Sequence, residues 1–254
     1  MAFEWYYYII AIIGGFAAGV INTLAGSGSA ITLTILTELL GLPGNLANGT
    51  NRVGVLTAGI AGSFAFYKNK KLDILKSRYY TIPTLVGAVI GILVAVWVSN
   101  EQFRMVFQYL MILMLFVILI KPKRWLQETN DQKKTSPLIV IPLFLVLGFY
   151  GGFIQMGMGV FYLASMVLIG GYNIIDGNAV KTFIVMAYTL VGIAIFQYKG
   201  LIDWQLGGIL AIGQTAGGWL TATYASRYRN AGIWAYRLLV LVVIWAILKL
   251  FHVF

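Results

Sequence analysis

Residues 9–42 read IIAIIGGFAAGVINTLAGSGSAITLTILTELLGL. The run is apolar, yet it is too long for one ordinary membrane helix of about 20 residues. It is interrupted by Asn22-Thr23-Leu24-Ala25-Gly26-Ser27-Gly28-Ser29. Irregular backbone at membrane depth is tolerated only where protein or a water-filled cavity covers it. The stretch therefore predicts a broken pair of short helices whose polar break faces inward. Residues 137–171 read the same way, with the break at Gln155-Met156-Gly157-Met158-Gly159.

Working outward, further apolar spans are expected at about 46–67, 79–98, 103–120, 176–198, 205–226 and 233–251, each bounded by charge or turn residues. The chain is 60% hydrophobic and 10% charged over 254 residues, too apolar for a domain that must solvate its own surface. The sequence predicts one all-α integral membrane domain over residues 1–254. The N-terminal MAFEWYYYIIAII has neither a basic start nor a small-residue cleavage site, so no signal peptide is expected. Absence of cysteine excludes disulfides and thiolate metal sites. The formal net charge of +10 comes from basic residues in short loops, where membrane topology already calls for them, so no nucleic-acid partner is expected.

Two halves are visible. Gly15-Phe16, Gly19 and Asn22 align with Gly148-Phe149, Gly152 and Gln155 at a constant offset of 133. Arg52 matches Lys181, Phe66 to Asp73 matches Phe196 to Asp203, and Gly87/Gly91 recurs as Gly213/Gly217. Repeat 1 is placed at about 9–120, a cytoplasmic linker at 121–136 and repeat 2 at 137–252. If each broken segment contributes two elements, each half has about five, and the odd number inverts the second half relative to the first. Charge supports this. Lys68, Lys70, Lys71, Lys76 and Arg78, then Lys121, Lys123, Arg124, Lys133 and Lys134, then Arg227 and Arg229 all fall on one side. The other side holds little beyond Glu4, Glu101, Arg104 and Lys199. A rival scheme with eight unbroken spans puts Arg227 and Arg229 on the wrong side.

Two cations lie inside apolar helices: Arg52 in Ala47-Asn48-Gly49-Thr50-Asn51-Arg52-Val53, and Lys181 in Gly177-Asn178-Ala179-Val180-Lys181-Thr182. Such charges cost about 3 kcal/mol at the membrane centre on insertion scales. All eight acids fall in loops or near segment ends, with Glu38 and Asp176 the nearest, so a bound anion would be the natural counter-charge. Asn48 with Arg52, and Asn178 with Lys181, share helix faces at spacings of four and three. Asn22, Ser27, Ser29, Thr50, Asn51, Gln155 and Thr182 would supply further hydrogen bonds, and Gln214 would either face the cavity or bond a neighbouring helix. The plainer reading is that both cations snorkel to the interface and that the glycines serve helix packing. The only histidine is His252, and no HExxH or Walker loop occurs, so neither metal nor cofactor chemistry is expected and the chain does not read as an enzyme.

On these residues the sequence resembles the sulfite exporter TauE/SafE family, also called the toluene sulfonate uptake permease family. The resemblance rests on Gly19-Val20-Ile21-Asn22-Thr23-Leu24-Ala25-Gly26-Ser27-Gly28-Ser29, which is similar to the family's glycine-rich first segment, and on Asn48-Gly49-Thr50-Asn51-Arg52, followed by a basic loop ending Lys71-Leu72-Asp73. The second half is looser, with Lys181 where the first half has arginine. The resemblance implies a multi-pass protein of the cell inner (plasma) membrane that exports sulfite or a small organosulfonate such as sulfoacetate, 3-sulfolactate or a taurine-derived anion. The residues by themselves reach only as far as a small anion. A passive anion channel is the alternative mode, and a homodimer is compatible with a compact transporter.

Overall fold

The computed structural model describes residues 5–119, 136–172 and 174–224 and a few isolated positions from 237 to 248. The described residues are helical, without β-strands. In chain order the helices are α1 (Trp5–Ala25), α2 (Gly28–Thr34, continuing as a π turn over Ile35–Leu39), α3 (Gly44–Lys68), α4 (Ile74–Ala95), α5 (Asn100–Leu119), α6 (Pro137–Phe153), α7 (Met158–Leu168), α8 (Ile174–Tyr198) and α9 (Trp204–Tyr224). Three of them, over Trp5–Leu24, Ile74–Ala95 and Ile175–Tyr198, are long and apolar enough to cross a bilayer by themselves. Large apolar side chains such as Ile60, Phe64, Ile82, Leu190 and Ile212 point outward, as lipid contact requires. The expected span at 233–251, the linker at 121–136 and the basic residues Arg227 and Arg229 lie largely outside the described residues.

Both expected breaks are present, and each is a hairpin. α1 ends where Gly26 turns left-handed at φ 76°, its N–H bonding the carbonyls of Ile21 and Asn22 at 3.1 and 2.9 Å. α2 then folds back along α1: Gly28 lies against Ala18 and Asn22, and Ile35 lies against Gly14. With 7 residues in α2 and 5 in the π turn, the returning arm is about 18 Å long, little more than half the hydrocarbon thickness of about 30 Å. In the second hairpin, left-handed Gln155 (φ 64°) and Gly157 (φ 72°) reverse the chain. The Tyr150 hydroxyl donates to the Met156 carbonyl at 2.6 Å, and Phe144 and Tyr162 meet edge-on with centroids 5.1 Å apart. The expectation of two short helices per segment needs one correction. α1 has 21 residues and α6 has 17, so only the returning arms are short.

The expected span at 79–98 is displaced. α4 starts at Ile74 because the Asp73 carboxylate caps it, accepting from the Lys76 N–H at 3.0 Å. Charged first-turn residues thus extend the helix beyond its apolar part.

Glycine decides which helices pair. On α1, Gly15 and Gly19 sit against the carbonyls of Leu210 and Gln214 of α9, while Gly213 and Gly217 of α9 sit against Ile12 and Phe16 of α1. On α4, Gly87 and Gly91 meet Leu145 and Phe149 of α6, and Gly148 and Gly152 of α6 meet Thr84 and Ala88. In both pairs the contact positions advance together, so the partners run parallel. α3 runs antiparallel to α8, since Gly49 contacts Phe196 and Leu201 whereas Gly62 contacts Thr182. It runs parallel to α9, from the bond between Thr50 and Asp203 to the 2.8 Å bond between Thr57 and Thr215. The tips of the two hairpins touch where Gly26 and Gly159 pack backbone to backbone, and the Gly159 N–H donates to the Gly26 carbonyl at 3.1 Å. A β-carbon on either would lie inside the other's backbone.

One turn occurs twice. After α3, the N–H groups of Asn69, Lys70 and Lys71 bond the carbonyls of Ala65, Tyr67 and Phe66, with Lys70 left-handed at φ 56°. After α8, Lys199, Gly200 and Leu201 make the same bonds to Ile195, Gln197 and Phe196, with Gly200 at φ 67°.

Candidate functional site

Lys181, on α8, reaches into the first hairpin. Its Nζ donates to the carbonyls of Asn22 and Thr23 at 2.9 and 3.4 Å and to the Asn178 Oδ1 at 2.7 Å. These carbonyls are among the last of α1 and lie at the negative end of the helix dipole; that of Asn22 also accepts from the Gly26 N–H. Arg52, on α3, does the same for the second hairpin. Its Nη2 donates to the Gly152 carbonyl at 2.5 Å, and the Asn48 amide donates to the neighbouring Phe153 carbonyl at 2.9 Å. The guanidinium also lies over the Phe196 ring, 4.8 Å from its centroid. Each cation therefore caps the broken helix of the opposite half of the chain. Both are buried in the protein, Arg52 at 0% and Lys181 at 2% exposure, so neither snorkels.

Every hydrogen-bond partner of these two cations among the described residues is a neutral oxygen. Carbonyl dipoles compensate a buried charge only in part. On Lys181 the three ammonium donors are all engaged. On Arg52, Nε and Nη1 are buried without a partner. The first cation must release a carbonyl to hold an anion, whereas the second has donors to spare.

The expected ligand residues divide among five places. Lys181, Asn22, Gln155 and Thr182 line one cavity between the hairpin tips, with Asn178 holding Lys181 in place. The cavity has about 20 Å³ of free space, room for about one water. Arg52 and Asn48 stand apart from that lining, at the end of α6. Asn51 and Gln214 form a neutral network with Thr32: the Asn51 Oδ1 accepts from Thr32 at 2.5 Å and from Gln214 at 3.5 Å. Gln214 fits there because position 54 is glycine. Thr50 accepts from the Asp203 N–H at 2.9 Å and so fixes the turn before α9. Ser27 and Ser29 are buried in the first hairpin, where the Ser29 carbonyl accepts from Thr32 at 3.4 Å and the Ser27 hydroxyl has no partner.

Sequence reasoning passed over Met158, Tyr188 and Thr189. Tyr188 lines the cavity beside Met158, and the Thr189 hydroxyl accepts from the Gln155 Nε2 at 2.7 Å. Tyr188 and Thr189 stand seven and eight positions after Lys181, one helix face, which is the signal that would have found them. At the second break the Gly159 N–H is taken by the Gly26 carbonyl.

A family model described as sulfite exporter TauE/SafE matches residues 11–250. The chain is 22% identical over 214 residues to the probable membrane transporter protein ORF9 of Sinorhizobium sp, covering 84% of this chain and 81% of that one. It is 26% identical to the probable membrane transporter protein YfcA of Escherichia coli K12, over 83% and 76% of the two chains. With the probable membrane transporter protein YunE of Bacillus subtilis the identity is 23% over 260 residues, 93% of this chain and 95% of the other. No solved structure matches the chain.

Proposed function

Because the chain belongs to the sulfite exporter TauE/SafE family, we propose that this membrane transporter exports a small anion, a sulfonate such as sulfoacetate or 3-sulfolactate, or sulfite, by alternating access. The observation that carries the reading is Lys181: a buried cation, bonded only to neutral oxygens, at the wall of a cavity between two broken helices. An anion entering there meets a charge that its own partners leave undercompensated. To bind it, Lys181 must let go of the α1 carbonyls, so binding loosens the end of a hairpin and is tied to movement.

The proposed architecture is a single domain of two inverted halves, about 9–120 and 137–252, in the inner (plasma) membrane. Three observations support it. α3 and its counterpart α8 run antiparallel. The twin turns recur at Lys70 and Gly200. Contacts of segments assigned to one side are local to that side: Lys199 lies over the Trp97 ring at 4.0 Å, and Tyr8 bonds Gln205 at 3.3 Å. A homodimer is part of the proposal.

The test is calorimetric binding of sulfite, sulfoacetate, 3-sulfolactate and acetate to the purified protein and to the Arg52→Gln/Lys181→Gln double variant. Sulfite or sulfonate binding that acetate does not share, and that the double variant lacks, is expected. Binding that survives in the double variant would refute the role of the cations. Counterflow in liposomes then separates the carrier from a passive anion channel, which shows none.

A further inference from the structure

We propose that Gln155 makes the cavity selective for an anion that carries a hydroxyl of its own, a hydroxyalkanesulfonate in preference to a plain alkanesulfonate. This rests on the anion-transport reading of the same cavity and narrows it.

The Gln155 side chain is buried, at 4% exposure, on the cavity wall shared with Lys181. Its two ends are differently placed. Nε2 donates to the Thr189 hydroxyl at 2.7 Å, which fixes the amide plane. Oε1 is buried without any hydrogen-bond partner. The large majority of buried side-chain polar atoms have a partner, so an unsatisfied amide oxygen on a cavity wall calls for a donor from whatever occupies the cavity. The backbone points the same way: Gln155 is left-handed at φ 64°, a conformation that glycine takes at Gly26 and Gly157 nearby. Glycine would take this conformation without strain, so a contact made by the Gln155 side chain would offset a backbone cost.

The neighbouring charge decides which donor fits. A ligand ammonium facing Oε1 would share a small cavity with the Lys181 ammonium and be repelled. A carboxylate, as in sulfoacetate, would set acceptor against acceptor. A hydroxyl suffers neither penalty: the sulfonate faces Lys181 while the hydroxyl donates to Oε1. A bare methyl or methylene leaves Oε1 unsatisfied.

The experiment compares four ligands of one size class on the purified wild-type protein by calorimetry: 2-hydroxyethanesulfonate, ethanesulfonate, 2-aminoethanesulfonate and sulfoacetate. The hydroxyl compound is expected to bind about five- to tenfold more tightly than ethanesulfonate, the worth of one neutral hydrogen bond left unmade in a buried site. In Gln155→Met that preference should fall to about one. In Gln155→Glu the preference should pass to 2-aminoethanesulfonate. Equal wild-type affinity for the hydroxyl compound and ethanesulfonate overturns the inference and leaves anion transport standing. Binding of none of the four overturns both. The wild-type comparison decides the question even if a variant fails to fold.

Discussion

Replacing Arg52 by Met separates a ligand-binding cation from a purely structural one. The side chain makes one hydrogen bond, to the Gly152 carbonyl, and one ring contact, to Phe196. Losing the charge-assisted bond costs about 1.5–3 kcal/mol, and losing a desolvated cation–π contact costs about 2 kcal/mol. Against this, the variant no longer buries a charge, worth about 3 kcal/mol on insertion scales. Methionine keeps an unbranched stem that fills most of the same space. The opposing contributions nearly cancel, so stability should change by no more than about 2 kcal/mol. For a chain of this size that is a shift in unfolding midpoint of under about 8 °C. Sulfonate binding and proteoliposome transport should fall to background in the same preparation. The assay is thermal unfolding in detergent by intrinsic tryptophan fluorescence, paired with calorimetry on the same sample. A midpoint lowered by more than about 10 °C would show that the guanidinium chiefly holds the end of α6, and retained transport would show that the anion does not need it. Either result refutes the reasoning.

Three further outcomes are expected. Gly26→Ala should destabilise by about 2–4 kcal/mol, from left-handed strain plus overpacking on Gly159, whereas Gly200→Ala, at φ 67° with open space around it, should cost only the strain of about 1–2 kcal/mol; equal midpoints in thermal unfolding would contradict the backbone contact at the hairpin tips. Lys70→Gly should stabilise by about 1 kcal/mol, because Lys70 is held at φ 56° where the twin turn has glycine, and an unchanged or lower midpoint would count against that turn. Since the chain has no cysteine, single cysteines at Lys70 and Lys199 can be labelled with an impermeant maleimide in oriented vesicles; labelling from opposite sides is expected, and labelling from one side would remove the inverted arrangement.

Much of the fold was legible because membrane helices announce themselves by apolar length. α3, α5, α8 and α9 lie within a few residues of their expected spans, and both breaks fall on the polar, glycine-containing runs. What the composition of residues 9–42 could not tell was direction. Whether the chain crosses or folds back at Gly26 depends on the tertiary contact of Ile35 with Gly14. At the site, the depth of Arg52 and Lys181 was readable, but their partners were not, because backbone carbonyls bear no sequence signature. Lys181 lies on the cavity wall, and Arg52 caps α6 apart from that lining. Asn51 and Gln214 bond each other, as polar residues on adjacent membrane helices often do.

The crossed capping has a consequence for synthesis. Arg52 precedes the carbonyl it holds by 100 residues, so the second hairpin emerges with its cap already made. Lys181 follows Asn22 by 159 residues. At about 5–20 residues per second, the end of α1 waits roughly 8–30 s for its side-chain cap. During that interval the first hairpin must sit beside water, the translocation machinery or a chaperone. A ribosome stalled between the two halves would therefore leave a product with its apolar spans in place and its first hairpin open.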